Sequence, residues 1–436
     1  MHDLKPYPEY RETGLPWLTQ VPAHWSMSPN RAVMRRRKVL VGDQHSQYRL
    51  LSLTKEGVIV RDVASGKGKF STDLGTSQEV RSGDLVLCLF DVPETPRTIG
   101  LSRYDGMITG AYTVMDFLIP DHARYLELFY TAMDDRKLLS PLYSGLRNTI
   151  PPARFLGTKS PLPPADEQAS IVRFLDHINR RIERTIRGKR KVIALLNEQK
   201  QVIIHRAVTH GKHSEWKSWP VRAVLRPTKR FGYPDKTLLS LFRDFGVIPK
   251  DSRHNKNADV QDLSLCQLVK PGDVVMNKMK AWQGSIAVSE LEGIVSPDYM
   301  VLEFIIDDVV DRYFHYLLRS PEMVTEYRKN AYGVRPGQWR LMYPEFCRLH
   351  LSIPPVREQE RIVSQIEDET HNIERTIAHT ETEVNLLREY RTRLASDVVT
   401  GKLDVREAAA GLPAEIIEEP EADTEPEELE DDNPDA

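Results

Sequence analysis

Apolar and polar positions follow two different patterns along the chain. From about residue 20 to 160, and again from about 214 to 350, short apolar runs such as DLVLCLF and DVVMNKM stand between Gly, Pro, Asp and Ser residues. This pattern is typical of short strands separated by turns, and a more helical segment follows in each region, so it indicates mixed α/β domains. A proline-free stretch then follows each region, over 165–211 and 356–401.

The proline-free stretches carry apolar residues at helical spacing. A double proline precedes each stretch, and Gly211 and Gly401 fit the helix ends. The 44 residues 166–209 would form a helix ~66 Å long. Each helix has one apolar stripe, so we expect the two to pair as an antiparallel intramolecular coiled coil. The predicted seam positions are Ile171, Leu175, Ile178, Ile182, Val192, Leu196 and Ile203, and Ile362, Ile366, Ile373, Leu387 and Leu394.

The two halves of the chain repeat each other. The pentapeptide IERTI occurs at 182–186 and 373–377, and LPPADEQ at 162–168 is matched by IPPVREQ at 353–359, each at an offset of 191 residues. Further blocks keep the same order at slightly smaller offsets, which indicates a tandem duplication with variable loops. A period this long makes each repeat a domain rather than a solenoid unit.

The patterns predict a mixed α+β chain in which two tandem-repeat domains are separated by two long helices, with an acidic tail at the end. The expected parts are a first domain at 1–161, a first spacer helix at 162–213, a second domain at 214–352, a second spacer helix at 353–405 and a tail at 406–436.

Charge is distributed unevenly along the chain. The formal net charge is −3, yet the segment from Glu415 to the end holds 12 of the 63 acidic residues and none of the 60 basic ones. Residues 1–414 therefore carry +9, which favours a polyanionic partner. We expect the tail to be disordered. It is either a solubilising segment or an electrostatic competitor that keeps the basic body away from wrong anions.

Several classes of protein are disfavoured. The three cysteines lack CxxC spacing, so disulfides and zinc are not expected. The chain has no apolar run of spanning length and no signal-like N-terminus, so we expect a cytoplasmic protein with no membrane contact. It has no HExxH, GxSxG, P-loop or [DN]PP[YF] motif, which argues against catalysis and against a metal or nucleotide of its own.

Two segments of the second domain combine polar, basic and aromatic residues. Such side chains pair with base edges and phosphates or stack on bases, although the first segment taken by itself is better explained as an ordinary hairpin with solvated lysines. The candidate DNA-binding residues are Asn277, Lys278, Lys280, Trp282 and Gln283 in VMNKMKAWQGSIAV, and Arg335, Gln338, Trp339 and Arg340 in AYGVRPGQWR.

The first domain has counterparts of both segments. YSGLRNTIPP supplies Arg147 and Asn148, whereas CLFDVPETPRTIG, which supplies Arg97, shares almost nothing with its counterpart. Lys67 and Lys69 in SGKGKF are candidate phosphate contacts, although GKGK is not a nucleotide-binding P-loop. Similar scaffolds with dissimilar polar loops are the pattern expected when one fold reads two different sequences.

These motifs resemble the specificity subunit of type I restriction-modification systems over roughly residues 14–405. The resemblance rests on GLPWLTQVPAHW at 14–25, on GDVV followed by NKMKAWQG and GIVSPDY, and above all on PPxxEQ leading twice into a long helix. It implies two target-recognition domains, each of which reads one half of a bipartite, asymmetric DNA site, with helix length setting the gap between halves. It also implies no catalysis by the chain itself.

The resemblance further implies partners. Two methyltransferase subunits would methylate adenine, and together with two restriction subunits the chain would direct cleavage. S-adenosylmethionine, ATP and Mg would belong to those subunits, and this chain would hold no cofactor. We expect methyltransferase contacts on the helices and at the PPxxEQ corners, around Gln168, Ile182, Gln359 and Ile373.

Three other interpretations stay open at the level of sequence. The chain could be a coiled-coil scaffold whose globular ends bind proteins without reading DNA, or an enzyme such as a nuclease or a self-contained methyltransferase. It could also belong to a methylation-only system that lacks a restriction subunit.

Overall fold

The computed structural model describes residues 4–61, 74–209, 216–243, 245–252, 262–333 and 339–413. The described residues divide into two compact units, residues 4–188 with 383–413, and residues 189–382. The boundary falls inside each long helix, whereas the sequence suggested that each helix is a separate spacer. The boundary falls there because each half of a long helix packs on the globular part of its own unit.

Unit 1 is built on a four-stranded antiparallel sheet in the order β4-β11-β8-β9, flanked by the strand pairs β1–β2, β3–β12, β5–β6 and β7–β10. Its strands are β1 Tyr10–Leu15, β2 Leu18–Pro22, β3 Ser26–Pro29, β4 Met34–Arg37, β5 Leu51–Thr54, β6 Gly57–Val60, β7 Gln78–Val80, β8 Leu85–Leu87, β9 Ile99–Leu101, β10 Gly106–Ile108, β11 Thr113–Phe117 and β12 Lys159–Leu162. The helices that begin in this unit are α1 Ala123–Asp135, α2 Pro152–Gly157 and α3 Ala165–Thr209.

Unit 2 repeats this plan. Its four-stranded antiparallel sheet has the order β14-β21-β18-β19, with the pairs β13–β22, β15–β16 and β17–β20 beside it. The strands are β13 Lys217–Pro220, β14 Leu225–Thr228, β15 Leu239–Phe242, β16 Gly246–Pro249, β17 Gln267–Val269, β18 Val274–Asn277, β19 Ile286–Val288, β20 Gly293–Val295, β21 Tyr299–Phe304 and β22 His350–Ile353. The remaining helices are α4 Asp311–Leu318, α5 Pro321–Asn330, α6 Tyr343–Phe346, α7 Val356–Val399 and α8 Arg406–Ala410, of which α8 belongs to unit 1.

The glycines that repeat between the units have a steric explanation. A Cβ on Gly106 would lie 2.5 Å from the carbonyl oxygen of Arg49, and a Cβ on Gly293 would lie 2.5 Å from that of Thr237. No side chain fits at that distance, so both copies need glycine where the backbone of strand β10 or β20 closely approaches the residues that precede β5 or β15.

A buried aspartate closes the same turn in both units. The backbone N–H of Arg81 donates to Asp84 at 2.8 Å, and that of Lys270 donates to Asp273 at 2.7 Å. Arg37 pairs with Asp84, and Arg230 pairs with Asp273. The repeated Gly-Asp of the sequence therefore forms a turn before strands β8 and β18.

The long helices pair in antiparallel directions within each unit. In unit 1, Ile182 and Ile186 of α3 pack against Val384 of α7. In unit 2, Lys200 of α3 donates to Glu374 of α7, and nearer the end of α3 a cluster unites the two helices. The buried members of this cluster on the two long helices are Ile204, Val208, Ile362, Val363 and Ile366.

The predicted seam is wrong at Val192, whose side chain is 46% exposed. Ile203 is only half-buried, and its neighbour Ile204 is the buried residue. An α-helix drifts by about 20° per heptad against a strict seven-residue repeat, so the buried stripe near the end of α3 no longer follows the register that begins at Ile171.

The segment after α7 packs on the N-terminal part of unit 1. The N–H of Asp404 donates to the carbonyl of Lys5 at 2.8 Å, and Gly401 lies so close to Pro22 that a Cβ would be 2.3 Å from its ring. Ala408 and Ala409 of α8 are buried in the core of the unit. The predicted tail at 406–436 therefore begins too early, because residues 406–413 are structured, and the acidic segment itself lies outside the described residues.

Candidate nucleic-acid interface

In unit 1, the segments 88–100 and 143–152 lie side by side. The N–H of Ile150 donates to the carbonyl of Leu89 at 2.8 Å, and the N–H of Asp91 donates to that of Arg147 at 2.9 Å. The two segments that the sequence singled out separately therefore form one surface.

A tight loop, Ser144–Thr149, projects from this surface, and we call it the apex loop. Backbone hydrogen bonds of 2.9 and 3.0 Å between Ser144 and Thr149 close it. Gly145 and Asn148 have φ of +69° and +43°, which glycine and asparagine adopt more easily than most residues. Leu146 is fully exposed at the turn, so the residue that follows it, Arg147, is presented at the tip.

Arg147 is held by two side chains of the neighbouring segment. Its Nε donates to Asp91 Oδ1 at 3.2 Å, its Nη2 donates to Asp91 Oδ2, and its guanidinium carbon lies 5.5 Å from the centre of the Phe90 ring. The hydrogen bonds from Arg147 lower the pKa of the Asp91 carboxyl, so that carboxylate stays charged at neutral pH.

Arg97 has an internal role in the structure. Its Nη1 lies 2.9 Å from Asp135 and 4.0 Å from Asp134, both at the end of α1. Its side chain is only 19% exposed. The predicted DNA contact of Arg97 stays a prediction, and these ion pairs do not favour it.

In unit 2, the corresponding segments also meet. The N–H of Leu341 donates to the carbonyl of Lys278 at 2.9 Å, which is the counterpart of the bond between Ile150 and Leu89. The rings of Trp282 and Trp339 pack with their centres 5.4 Å apart. Arg340 is exposed and pairs through its backbone with Tyr332.

Several polar side chains of this surface stabilise their own turn. Asn277 Oδ1 accepts the N–H of Met279 at 2.9 Å, and Trp282 Nε1 donates to the carbonyl of Met279 at 2.9 Å. Lys278 Nζ donates to the carbonyl of Pro297 at 3.0 Å. Lys280 is half-buried, whereas Gln283 is exposed. Gln283 is therefore better exposed for a base contact than Asn277.

Four predicted contacts cannot be placed on either surface. Lys67 and Lys69 in unit 1, and Arg335 and Gln338 in unit 2, lie outside the described residues.

A third segment of unit 2 adjoins this surface and was missed by sequence reasoning. In the β15–β16 hairpin, Arg243 lies next to the turn at Gly284, where an added Cβ would be 3.9 Å from Arg243 Cγ. Phe245 is 50% exposed at the same hairpin. The signal was present in the sequence, because SLFRDFGVI is one residue longer than the unit 1 counterpart SLTKEGVI and introduces both an arginine and an aromatic residue.

The PPxxEQ corners are buried structural joints. Gln168 Nε2 donates to the carbonyl of Pro163 at 2.8 Å, and Gln359 Nε2 donates to that of Pro354 at 3.0 Å. Gln168 also contacts His122, and Gln359 Oε1 accepts the N–H of Val310. These amides join each helix start to its own unit, and partner binding at the corners stays a prediction that these contacts do not favour.

Glu167 of the first corner holds residues from the start of the chain. Its carboxylate accepts hydrogen bonds from Trp25 Nε1 at 2.8 Å and from the Tyr7 hydroxyl, and His24 Nε2 lies 2.8 Å from its other oxygen. Burial and the bond to this carboxylate raise the pKa of Tyr7. Sequence reasoning assigned this glutamate no role, and its repeat counterpart Glu358 pairs with Arg361 instead.

The first isoleucine of each copy of the repeated pentapeptide is buried. Ile182 is 7% exposed and Ile373 is 8% exposed. A partner cannot reach such side chains without opening the structure, so burial does not support the contact predicted for them. The large apolar side chains that the helices expose in the described structure are Val192, Leu195 and Val202 of α3 and Leu386 and Tyr390 of α7.

Neither a membrane-spanning helix nor a metal-binding group of side chains occurs among the described residues. None of their helices has the length and apolar character that a membrane span requires. No group of three or more His, Cys, Asp or Glu side chains among them is arranged to hold a metal ion.

Solved structures resemble this chain over most of its length. A chain solved in work on complex assembly and conformational transition of the type I R-M system aligns with 88% of this chain and 99% of its own, at a TM-score of 0.57 and 14% identity. The two chains share a fold. The HsdS subunit from Thermoanaerobacter tengcongensis aligns with 87% of this chain and 96% of its own, at a TM-score of 0.39 and 16% identity. The type I restriction-modification S subunit from M. genitalium aligns with 91% and 99%, at 0.34 and 10%.

Comparisons at the level of sequence found no relatives. No protein-family model matches the chain. No curated protein matches it either.

Proposed function

We propose that the chain is the DNA sequence-specificity subunit of a type I restriction-modification complex. Each unit reads one half of a bipartite, asymmetric site through its paired loop segments. The chain itself is not catalytic and holds no cofactor, since methyl transfer and cleavage belong to its partners. It works in the cytoplasm, where the DNA and those partners are.

One observation carries the proposal. The same backbone bond joins the two candidate segments in each unit, from Ile150 to Leu89 and from Leu341 to Lys278, yet the side chains around it differ. Unit 1 presents Arg147 on an apex loop, whereas unit 2 presents a tryptophan pair with exposed Gln283 and Arg340. A repeated scaffold with different recognition residues is what two half-sites of different sequence require.

The fold shared with a chain of the type I R-M system supports the same proposal. Each long helix runs through both units, as a spacer between two readers requires. Two linked modules also gain affinity through effective concentration, so each unit can bind weakly on its own.

The methyltransferase partners dock on exposed apolar positions of the helices. Leu195 in unit 2 and Leu386 in unit 1 are 55% and 58% exposed, and they are separated by the 191-residue offset of the repeat. Two copies of one partner therefore find the same leucine once in each unit. Two restriction subunits complete the complex, and S-adenosylmethionine, ATP and Mg belong to these partners.

A DNA-binding titration separates this proposal from a scaffold that binds only proteins. The chain purified together with the methyltransferase subunit of its own system should bind duplex DNA and lose affinity by about tenfold or more between 50 and 200 mM salt, because phosphate contacts release counterions. Absence of salt-dependent DNA binding by a complex that still contains the methyltransferase would contradict the proposal and favour the scaffold.

A further inference from the structure

The Arg147 guanidinium is bound along one edge and exposed along the other. Asp91 accepts from Nε and from Nη2, which together form one side of the planar group. A guanidinium has five N–H donors in a rigid fork. The second edge, formed by Nη1 and the remaining Nη2 hydrogen, therefore keeps two parallel donors, and the side chain is 70% exposed.

The contacts of Asp91 and Phe90 with Arg147, which we call the clamp, fix the direction of that second edge. Asp91 donates its backbone N–H to the carbonyl of Arg147 at 2.9 Å, so the carboxylate and the arginine it holds are tied together through the main chain as well. Asp91 and Asn148 are two of the three non-glycine residues with positive φ in the described structure. Unusual backbone geometry of this kind is often kept where side chains must be presented in one direction.

The negative charge of Asp91 determines whether Arg147 is better suited to a DNA phosphate or to a base edge. A phosphate is an anion and would be repelled by the Asp91 carboxylate, which offsets the charge of Arg147. The guanine edge in the major groove is uncharged and offers two acceptors, O6 and N7, to an arginine fork. An arginine held by a carboxylate is therefore better suited to a guanine than to the DNA backbone.

We propose that Arg147 reads a guanine in the half-site recognised by unit 1, and that Asp91 is the positioning residue that aims it. This inference rests on the proposed function. It adds the base that is recognised, guanine, the residue that contacts it, Arg147, and the residue that positions Arg147, Asp91.

The first test selects binding sites from a random duplex pool with the complex of this chain and its methyltransferase subunit. The wild-type complex should select a split motif, and Arg147→Ala should lose one guanine in one half while the other half is unchanged. Arg35→Ala is the matched control, because Arg35 is also 70% exposed and is held by a carboxylate, that of Asp116. It should select the wild-type motif.

The second test removes a single acceptor atom from the DNA. Replacing that guanine with 7-deazaguanine should weaken wild-type binding by about tenfold and leave the binding of Arg147→Ala unchanged. Arg147→Lys keeps the charge but not the planar fork, so its loss of affinity on the 7-deazaguanine duplex should be smaller than that of the wild type.

The role of Asp91 is tested by Asp91→Asn, which keeps the size and tolerates the positive φ. A positioning role predicts a relaxed guanine preference at the same position, partly rescued by Asp91→Glu. Tighter binding to all sequences with an unchanged motif would assign Arg147 to a phosphate and overturn the inference.

The outcomes for the two proposals are distinct. A wild-type complex that selects no motif contradicts the proposed function. A wild-type split motif that Arg147→Ala leaves intact, or weakens evenly at all positions, overturns only the assignment of the guanine.

Discussion

At the residue scale, side chains that repeat between the units stabilise the fold, and side chains that differ between them are the candidate DNA contacts. Gln168 and Gln359 repeat because both tie a double-proline corner to a helix start. Sequence reasoning identified both glutamines but interpreted them as partner contacts, because repetition alone does not tell whether a side chain is buried. Arg147 was identified from its loop, but its clamp required the structure, since Asp91 lies 56 positions away along the chain.

His315 provides a test of packing in unit 2. Burial, together with the charges of Arg319, Arg312 and Lys200, lowers the pKa of His315 to about 4, and the ring lies 3.4 Å from the carbonyl of Val288. The folded unit therefore holds this histidine neutral at pH values where an unfolded chain would protonate it. Its contribution to stability is present above a pH of about 6.5 and is lost as the pH falls towards about 4.

We expect the unfolding free energy of the wild type to fall over that window. In His315→Leu this fall should be smaller by on the order of 1 kcal/mol. Chemical denaturation at a series of pH values measures it, with His350→Leu at an exposed position of β22 as the control. Equal pH profiles for the wild type and His315→Leu would show that His315 is not held neutral.

At the element scale, the long helices were predictable and most of the strands were not. Helices of this length repeat their apolar spacing many times, and their double prolines and glycines mark the ends, so α3 and α7 fall within three to six residues of the predicted spacer limits. Strands of three to six residues carry too few positions for their pairing to be read. The order β4-β11-β8-β9 depends on contacts between residues far apart in sequence, and no local pattern encodes them.

Lengthening both helices by one heptad tests their role as spacers. Seven residues inserted after Lys191 in α3 and at the matching level of α7, after Glu383, keep the helical register and add about 10 Å. The gap between the half-sites should widen by about three base pairs, while the bases of each half stay the same. The recognised motif, measured by site selection, reports both quantities.

The control replaces seven exposed positions of the same helices without changing their length. It should leave the gap unchanged. A folded, active insertion variant with the wild-type gap would show that helix length does not set the spacing.

At the scale of the whole molecule, the two ends of the described chain meet in unit 1. Asp404 pairs with Lys5, the Arg406 guanidinium lies 5.3 Å from the centre of the Tyr7 ring, and Val405 is fully buried. These contacts were not predicted from the sequence, because the acidic composition that begins at Glu415 made the whole C-terminal region look like a tail. Contacts between distant segments are the part of a fold that composition and periodicity do not encode.

Two truncations distinguish the role of residues 400–413, which pack on unit 1, from that of the acidic segment that begins at Glu415. A chain that ends after Val399 loses Gly401, Val405, Ala408 and Ala409 from the core of unit 1, and its unfolding free energy should fall by about 3 kcal/mol or more. A chain that ends after Pro413 keeps these contacts and should unfold as the full chain does. Denaturation of both chains measures the difference, and equal stability would contradict a structural role for residues 400–413.

A specificity subunit should direct methylation to a two-part DNA site in the cell. This is measured by a genome-wide map of N6-methyladenine in cells that carry this chain with its methyltransferase partner, compared with cells that lack only this chain. We expect a split motif with a fixed gap, methylated once on each strand and lost with the chain. An identical map in both cells, with the methyltransferase shown to be active, would contradict it.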